Sequence, residues 1–110
     1  MSETRKVAII GSTQYQRTRI ILHKVQLESE GCWVQIPTFD DDRILNELEI
    51  CEYNLAMIKW ADEVHLLWDQ RSSGVIFDFG ILFALRKRFK IIYMEEKTIS
   101  GVMKRYEEKS

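Results

Sequence analysis

The sequence predicts an α/β fold, a small doubly wound parallel sheet of the flavodoxin-like or Rossmann-like kind, with four or five strands flanked by helices. Short apolar runs typical of buried parallel strands recur along the chain, and segments with helical periodicity separate them. The 110 residues, 45% of them hydrophobic, supply enough apolar material for one core and too little chain for two. We therefore expect a single domain spanning residues 1–110.

The first third of the chain predicts a strand, a helix and a second strand. Val7–Ile10 is an apolar run closed by Gly11, which is typical of a strand buried on both faces. Residues 17–30 carry apolar side chains at helical spacing and end before a glycine, so they predict a helix. Residues 32–36 form a second short apolar segment, which a proline ends.

The middle of the chain predicts two helices around a third strand. Residues 44–58 place apolar side chains at steps of four and three, and the acidic run Asp40–Asp42 is the predicted N-cap. Val64–Trp68 is the third predicted strand. Residues 75–85 are apolar nearly all round, which predicts a buried helix.

The last part of the chain completes the alternation. Lys90–Met94 predicts a fourth strand, and Thr98 is the predicted N-cap of an amphipathic helix with apolar side chains from Ile99 to Tyr106. Strands that alternate with helices pair through crossovers into a parallel sheet. We expect the strand order 2-1-3-4, with the loops after the first and third strands meeting at one cleft.

Composition excludes several classes of partner. The 16 Lys and Arg against 17 Asp and Glu give a net charge of -1, without the basic excess that binds nucleic acid. Cys32 and Cys51 form no CxxC pair and no zinc spacing with the two histidines, so we expect no metal and a cytoplasmic protein with reduced thiols. No signal peptide or long apolar run is present, and we expect no membrane partner.

Polar residues gather in the loops after the first and third predicted strands. Ligands of open parallel sheets bind at the carboxyl ends of the strands, where the strand order reverses. The second loop also opens a helix, whose free N–H groups suit an anion such as phosphate, although serines there are also common N-caps. The candidate substrate-binding residues are Gly11, Ser12, Asp69, Ser72, Ser73 and Gly74.

Asp78 is the exceptional residue of the apolar helix, one turn beyond Gly74. A carboxylate in such surroundings needs a partner or a purpose. It either satisfies nearby main-chain N–H groups or acts as a catalytic or ligand-binding carboxylate. The sequence contains neither GxGxxG nor GxxxxGK[ST], so we exclude dehydrogenase and P-loop chemistry and expect no cofactor.

The segments Ala61–Val64 (ADEV) and Ser72–Gly80 (SSGVIFDFG), followed by Ala84-Leu85, resemble the nucleoside 2-deoxyribosyltransferase family and its nucleotide N-hydrolase relatives. Members carry a similar strand and then a Ser-x-Gly turn that leads into a helix bearing a glutamate. The resemblance covers almost the whole chain, because the run ending in Gly11, the loop tyrosine and the region from Pro37 onward fall in the family's order.

The resemblance implies a role for each matching residue. The family's helix carboxylate attacks C1′ of a nucleoside sugar, as in retaining glycosidases, and the matching residue is Asp78. The turn residues Ser72–Gly74 would bind the 5′ end, and Tyr15 would line the sugar pocket. A second carboxylate of the family falls at Asn54, which cannot act as a general acid or base. Asp78 is also one methylene shorter than the usual glutamate.

Two hypotheses of function remain open at this point. The first is an enzyme that cleaves or transfers at the N-glycosidic bond of a (deoxy)nucleoside or its 5′-monophosphate. The second, which Asn54 favours, is a non-catalytic nucleotide-binding module of the same fold that senses or sequesters its ligand. A flavodoxin-type signalling domain is disfavoured, because no acidic cluster follows the first strand. The expected partner is a small nucleoside or nucleotide, and the resemblance implies a homo-oligomer.

Overall fold

Four strands and four helices alternate along the parts of the chain that the structure, a computed structural model, describes: residues 4–12, 16–37, 46–70, 72–95 and 99–110. This alternation confirms the predicted α/β class. The elements are β1 (Lys6–Gly11), α1 (Arg17–Ser29), β2 (Trp33–Gln35), α2 (Glu47–Trp60), β3 (Glu63–Trp68), α3 (Ser73–Ala84), β4 (Arg88–Met94) and α4 (Ile99–Lys109).

The four strands form one parallel sheet in the order β2-β1-β3-β4, as predicted. β1 lies between β2 and β3, so the strand order reverses there. The β1–β3 register pairs Val7 with Glu63 at one end and Gly11 with Leu67 at the other. The carboxyl ends of β1 and β3 therefore lie side by side, which is where such sheets bind ligands.

β1 packs against helices on both faces of the sheet. Ala8 and Ile10 belong to a core that α2 and α3 cover, whereas Val7 and Ile9 belong to a core on the α1 side. All four side chains are 0% exposed. This two-sided burial explains why β1 is continuously apolar rather than alternating.

The start of α2 differs from the prediction. The helix begins at Glu47 with Asn46 as its N-cap, and Asp40–Asp42 lie outside the described residues. The Asn46 side chain accepts a hydrogen bond from the Glu49 N–H at 2.8 Å, and the Glu49 carboxylate accepts one from the Asn46 N–H at 3.4 Å. This reciprocal capping box fixes the first turn there. Thr98, the predicted cap of α4, also lies outside the described residues.

The prediction that α3 is a buried helix is wrong for much of its surface. Only one stripe faces the rest of the chain, and its buried side chains are Val75, Asp78 and Leu82. A helix packed on one side of a sheet can bury only such a stripe. Four of the remaining apolar side chains form what we call the open face of α3: Ile76 (59% exposed), Phe77 (55%), Phe79 (40%) and Phe83 (55%).

Two further expectations concern the thiols and the membrane. Cys32 and Cys51 are both free thiols, as the sequence predicted. Among the helices of the described ranges, none combines the length and the apolar character needed to span a bilayer. The cytoplasmic location itself stays a prediction.

Candidate active site

The loops after β1 and β3 are joined by a short hydrogen bond at the carboxyl edge of the sheet. The Ser12 hydroxyl donates to Oδ1 of Asp69 at 2.7 Å, and the Ser72 main-chain N–H donates to the same oxygen at 3.3 Å. Ser12 is 2% exposed and Asp69 1%. Both are candidate substrate-binding residues, and their buried mutual hydrogen bond joins the two loops. Their contact with a ligand stays a prediction.

Gly11 has a packing reason to be glycine. A Cβ at this position would lie 2.5 Å from the main-chain oxygen of Leu67 and 3.2 Å from Cδ1 of Ile20. Any larger residue would push β1 away from the end of β3. Gly11 therefore lets the two strands end close together, which in turn allows Ser12 to reach Asp69.

The start of α3 presents an open turn of main-chain donors. Ser72 is the N-cap residue, but its side chain makes no capping hydrogen bond, and the first turn holds no acidic residue. Ser73 and Gly74 are exposed, and a Cβ at Gly74 would meet nothing within 4 Å. The positive end of the helix dipole is therefore accessible, which is the physical requirement for binding an anion.

Asp78 lies on the same side of α3 as Gly74, about 6 Å further along the axis, given a rise of about 1.5 Å per residue. It is 7% exposed, and Oδ2 accepts a hydrogen bond from Nδ2 of Asn54 at 3.3 Å. Burial raises the pKa of Asp78 from 3.8 to about 6, against the opposing effect of the Asn54 hydrogen bond. At pH 7 the carboxylate form still exceeds the acid by about tenfold.

Asn54 presents a second polar atom beside Asp78. Its Oδ1 is buried and finds no hydrogen-bond partner among the residues that the structure describes. An amide oxygen without a partner accepts hydrogen bonds but cannot exchange a proton. The pair therefore combines a carboxylate, which can act as a nucleophile or a base, with an acceptor for a hydroxyl or amine group of a ligand.

Two residues that the sequence did not single out as functional shape the same edge. The indole Nε1–H of Trp68 donates to the main-chain oxygen of Ser72 at 3.1 Å, and the side chain of Gln70 donates to the main-chain oxygen of Glu95. Gln70 also has a positive φ of 62°. An indole at a strand end and a glutamine in a loop carry no sequence signal for such roles.

Two further expectations concern Tyr15 and a metal ion. Tyr15 lies outside the described residues, so its predicted place in the sugar pocket stays a prediction. Within the described ranges, no group of three or more His, Cys, Asp or Glu side chains is placed to hold a metal ion.

A hydrogen-bonded chain of two imidazoles and a carboxylate lies on the α1 side of the sheet. His23 and His65 approach through Nε2 and Nδ1 at 2.8 Å, and Nε2 of His65 lies 2.7 Å from Glu63. Arg5 is 3.5 Å from the same carboxylate. Glu63 is the first residue of β3, so these hydrogen-bonded side chains begin at the amino edge of the sheet. Asp69 follows the carboxyl end of β3, at the opposite edge.

A hollow of about 640 Å³ also lies at the amino edge, lined by residues that include Arg5, Asp62, Arg86, Lys87 and Arg88. At least one of its cations, Lys87, has structural partners. Lys87 donates to the main-chain oxygen of Ala61 at 2.7 Å, just after the end of α2. Cations stabilise helix C-termini in this way, so the basic lining does not by itself indicate an anionic ligand.

The fold and the geometry of the site together define a class of small parallel α/β proteins, in which a helix carboxylate lies one turn beyond an accessible helix N-terminus. No protein-family model matches this chain, and no curated protein matches it. Among solved structures, it is similar to the 2-desoxiribosyltransferase from Leishmania mexicana, with a TM-score of 0.65 and 19% identity.

The match covers 81% of this chain and 64% of the Leishmania chain, so this chain spans less than two thirds of that protein's length. The two proteins share a fold. The resemblance to nucleoside 2-deoxyribosyltransferases suggested by the turn Ser72–Gly80 is thereby confirmed as a likeness of architecture.

Proposed function

We propose that this protein cleaves or transfers at the N-glycosidic bond of a nucleoside or nucleoside 5′-monophosphate, with Asp78 as the nucleophile. The observation that carries the proposal is the buried Asp78 carboxylate, which is hydrogen-bonded to Asn54 and lies one turn beyond the accessible N-terminus of α3. The fold shared with a protein named as a desoxiribosyltransferase supports it.

The proposed reaction has two steps. The Asp78 carboxylate attacks C1′ of the sugar, so that a C1′–O bond forms, the C1′–N bond breaks and the base leaves with the electron pair. Water or the ring nitrogen of a second base then attacks C1′ and releases the carboxylate. The attacking water or base nitrogen loses its proton to solvent.

Burial of Asp78 favours the attack in one respect and limits it in another. A carboxylate with few water molecules around it needs little desolvation before it meets C1′. Only the ionised form attacks, so base release rises with pH through about 6, the pKa of this group.

Asn54 has a holding role in this scheme. Its amide N–H orients the carboxylate, and its free Oδ1 accepts a hydrogen bond from a sugar hydroxyl. Because an amide donates no proton to the departing base, that proton comes from solvent. Bases that leave readily as anions are therefore the better substrates.

The turn Ser72–Gly74 binds the 5′ group of the substrate in this proposal. The main-chain N–H groups of the exposed residues Ser73 and Gly74, with the two serine hydroxyls, suit a phosphate. Replacing both Ser72 and Ser73 by alanine weakens the binding of a 5′-monophosphate more than that of the bare nucleoside. Equal losses for both ligands would contradict the phosphate assignment.

The direct test is incubation with a panel of nucleosides and 5′-monophosphates, with free base measured by chromatography. The expected result is base release by the wild type and none by Asp78→Asn. The matched control is Asp62→Asn, because Asp62 is an exposed carboxylate at the amino edge, where it accepts the Lys6 N–H at 3.0 Å. A wild type that binds a nucleotide but releases no base would instead support the binding module.

We also propose that the protein forms a homo-oligomer through the open face of α3. An aromatic side chain has about 150–250 Å² of surface, so the three half-exposed phenylalanines, together with Ile76, present on the order of 400 Å² of apolar surface. A stable interface takes about 800 Å² from each partner. The open face thus provides about half of one.

Light scattering after size exclusion tests this proposal. The wild type elutes as a dimer or a larger assembly, and Phe77→Ser with Phe83→Ser shifts it to the monomer mass. Leu22→Ser on α1 is the control, because Leu22 is 64% exposed but lies on another helix. A monomeric wild type would refute the proposal.

A further inference from the structure

We propose that Gln70 is a positioning residue for the candidate site. Its side-chain amide fastens the β3–α3 loop to the main chain after β4 and thereby sets the direction of the donors that open α3. The inference rests on the proposed function only for its ligand, because the contacts that carry it belong to the protein alone.

The backbone of Gln70 is the first observation. Its φ of 62° lies in the left-handed region, which glycine adopts freely and which side chains with a Cβ adopt at a cost. A residue stays in such a conformation when its surroundings hold it there. The contacts of Gln70 show what holds it.

The β3–β4 ladder continues one step beyond both strands through this side chain. The Glu95 N–H donates to the main-chain oxygen of Trp68 at 2.9 Å, as the next bond of a parallel ladder requires. In a regular ladder the Glu95 oxygen would then accept from the main-chain N–H of residue 70. The side-chain amide of Gln70 donates to that oxygen instead. The side-chain amide of Gln70 thus makes the hydrogen bond that its main-chain N–H would make in a regular ladder, while the main chain leaves the sheet towards α3.

The turned loop determines where Ser72 points. The Ser72 N–H donates to Asp69 at 3.3 Å, and its main-chain oxygen accepts from the Trp68 indole at 3.1 Å. Both contacts require the chain to leave the sheet directly after Asp69. Gln70 is the residue at which it does so, and therefore the orientation of Ser72 depends on the Gln70 conformation.

Gln70 is a positioning residue rather than a ligand contact, since its amide is already engaged by Glu95. Glu95, which accepts this hydrogen bond, is itself held in place, because its carboxylate lies 3.2 Å from Arg105 of α4. The site loop is thereby connected to the last helix of the chain.

Two substitutions separate strain from anchoring. Gln70→Ala removes the amide and keeps the Cβ, whereas Gln70→Gly removes both and suits the positive φ. Three protons report on the loop in NMR hydrogen exchange: the amides of Ser72 and Glu95 and the indole N–H of Trp68. We expect all three to exchange about tenfold faster in both variants. Gln70→Gly should nevertheless unfold at a higher temperature than Gln70→Ala, since it relieves the strain.

Calorimetry then measures binding of the four 2′-deoxynucleoside 5′-monophosphates and of the matching nucleosides. In the stable Gln70→Gly variant, Kd for a monophosphate rises about tenfold and Kd for the nucleoside changes less. Gln26→Ala, an exposed glutamine of α1, is the control and alters neither exchange nor binding.

Unchanged exchange of the three protons in Gln70→Gly overturns the inference. Equal losses for monophosphate and nucleoside also overturn it, because the loop would then not position the phosphate donors. If the wild type binds none of these probes, the proposed function fails, and the exchange measurements alone decide whether Gln70 holds the loop.

Discussion

Ionisation of the Asp78 carboxyl group should lower the free energy of unfolding at neutral pH. Its pKa is raised from 3.8 to about 6 by burial, so between these values the folded chain keeps a proton that the unfolded chain has released. The free energy of unfolding therefore falls as pH rises through this range. The full effect is about 3 kcal/mol, because each pKa unit corresponds to about 1.4 kcal/mol.

Asp78→Asn removes this penalty, since an amide does not ionise. The amide has its own cost of packing, but that cost is the same at every pH and cancels when two pH values are compared. Between pH of about 4 and about 7.5, the variant should gain about 2 kcal/mol relative to the wild type, most of the full effect. Urea unfolding followed by tryptophan fluorescence at several pH values measures this gain.

Asp62→Asn is again the control, because Asp62 is exposed and should show no comparable gain. A stability difference between Asp78→Asn and the wild type that stays constant with pH would refute the reasoning. It would mean that Asp78 ionises in the folded protein as readily as in the unfolded chain.

Three other predictions follow from the same contacts. Asn54→Asp places a second carboxylate beside Asp78 and should lower the free energy of unfolding at pH 7.5 by about 1–3 kcal/mol, measured in urea. Burial, with the neighbouring imidazole and ammonium charges, lowers the pKa of His23, so this group destabilises the folded chain as pH drops below about 6.5. In thermal unfolding, His23→Gln should therefore gain stability relative to the wild type as pH falls, which is opposite to the pH dependence of Asp78→Asn. Gly11→Ala should lower the unfolding temperature, because its Cβ would lie 2.5 Å from a main-chain oxygen. Gly80→Ala, whose Cβ would meet nothing within 4 Å, should instead stabilise α3 by about 1 kcal/mol. The opposite order of the two unfolding temperatures would contradict this account of the packing.

The fold was predictable because its strongest signals are local. The run Val7–Ile10 is continuously apolar because both faces of β1 are covered, and alternation with helices leaves few topologies to consider. The resemblance related Asn54 and Asp78, which are 24 residues apart, and the structure places their side chains 3.3 Å from each other. Their catalytic roles stay predictions.

The remaining features depend on competition between contacts that a linear pattern does not contain. Helical periodicity runs back to residue 44, but the reciprocal bonds of Asn46 and Glu49 begin α2 later. The apolar composition of α3 predicted burial, although composition cannot distinguish a helix covered by its own chain from one left open. Gln70 adopts a backbone conformation that glutamine does not favour, so a glutamine at this position did not indicate a positive φ.

The central place of β1 has a consequence for how the protein folds. Its pairing with β3 brings together segments more than half the chain apart, and the Ser12–Asp69 bond joins residues separated by 57 positions. Such distant contacts form slowly, because a long loop must close before they contribute. On the ribosome, β1 has to wait for β3 to emerge. A ligand that needs both loops binds only after this closure, so it should slow unfolding while leaving the folding rate unchanged.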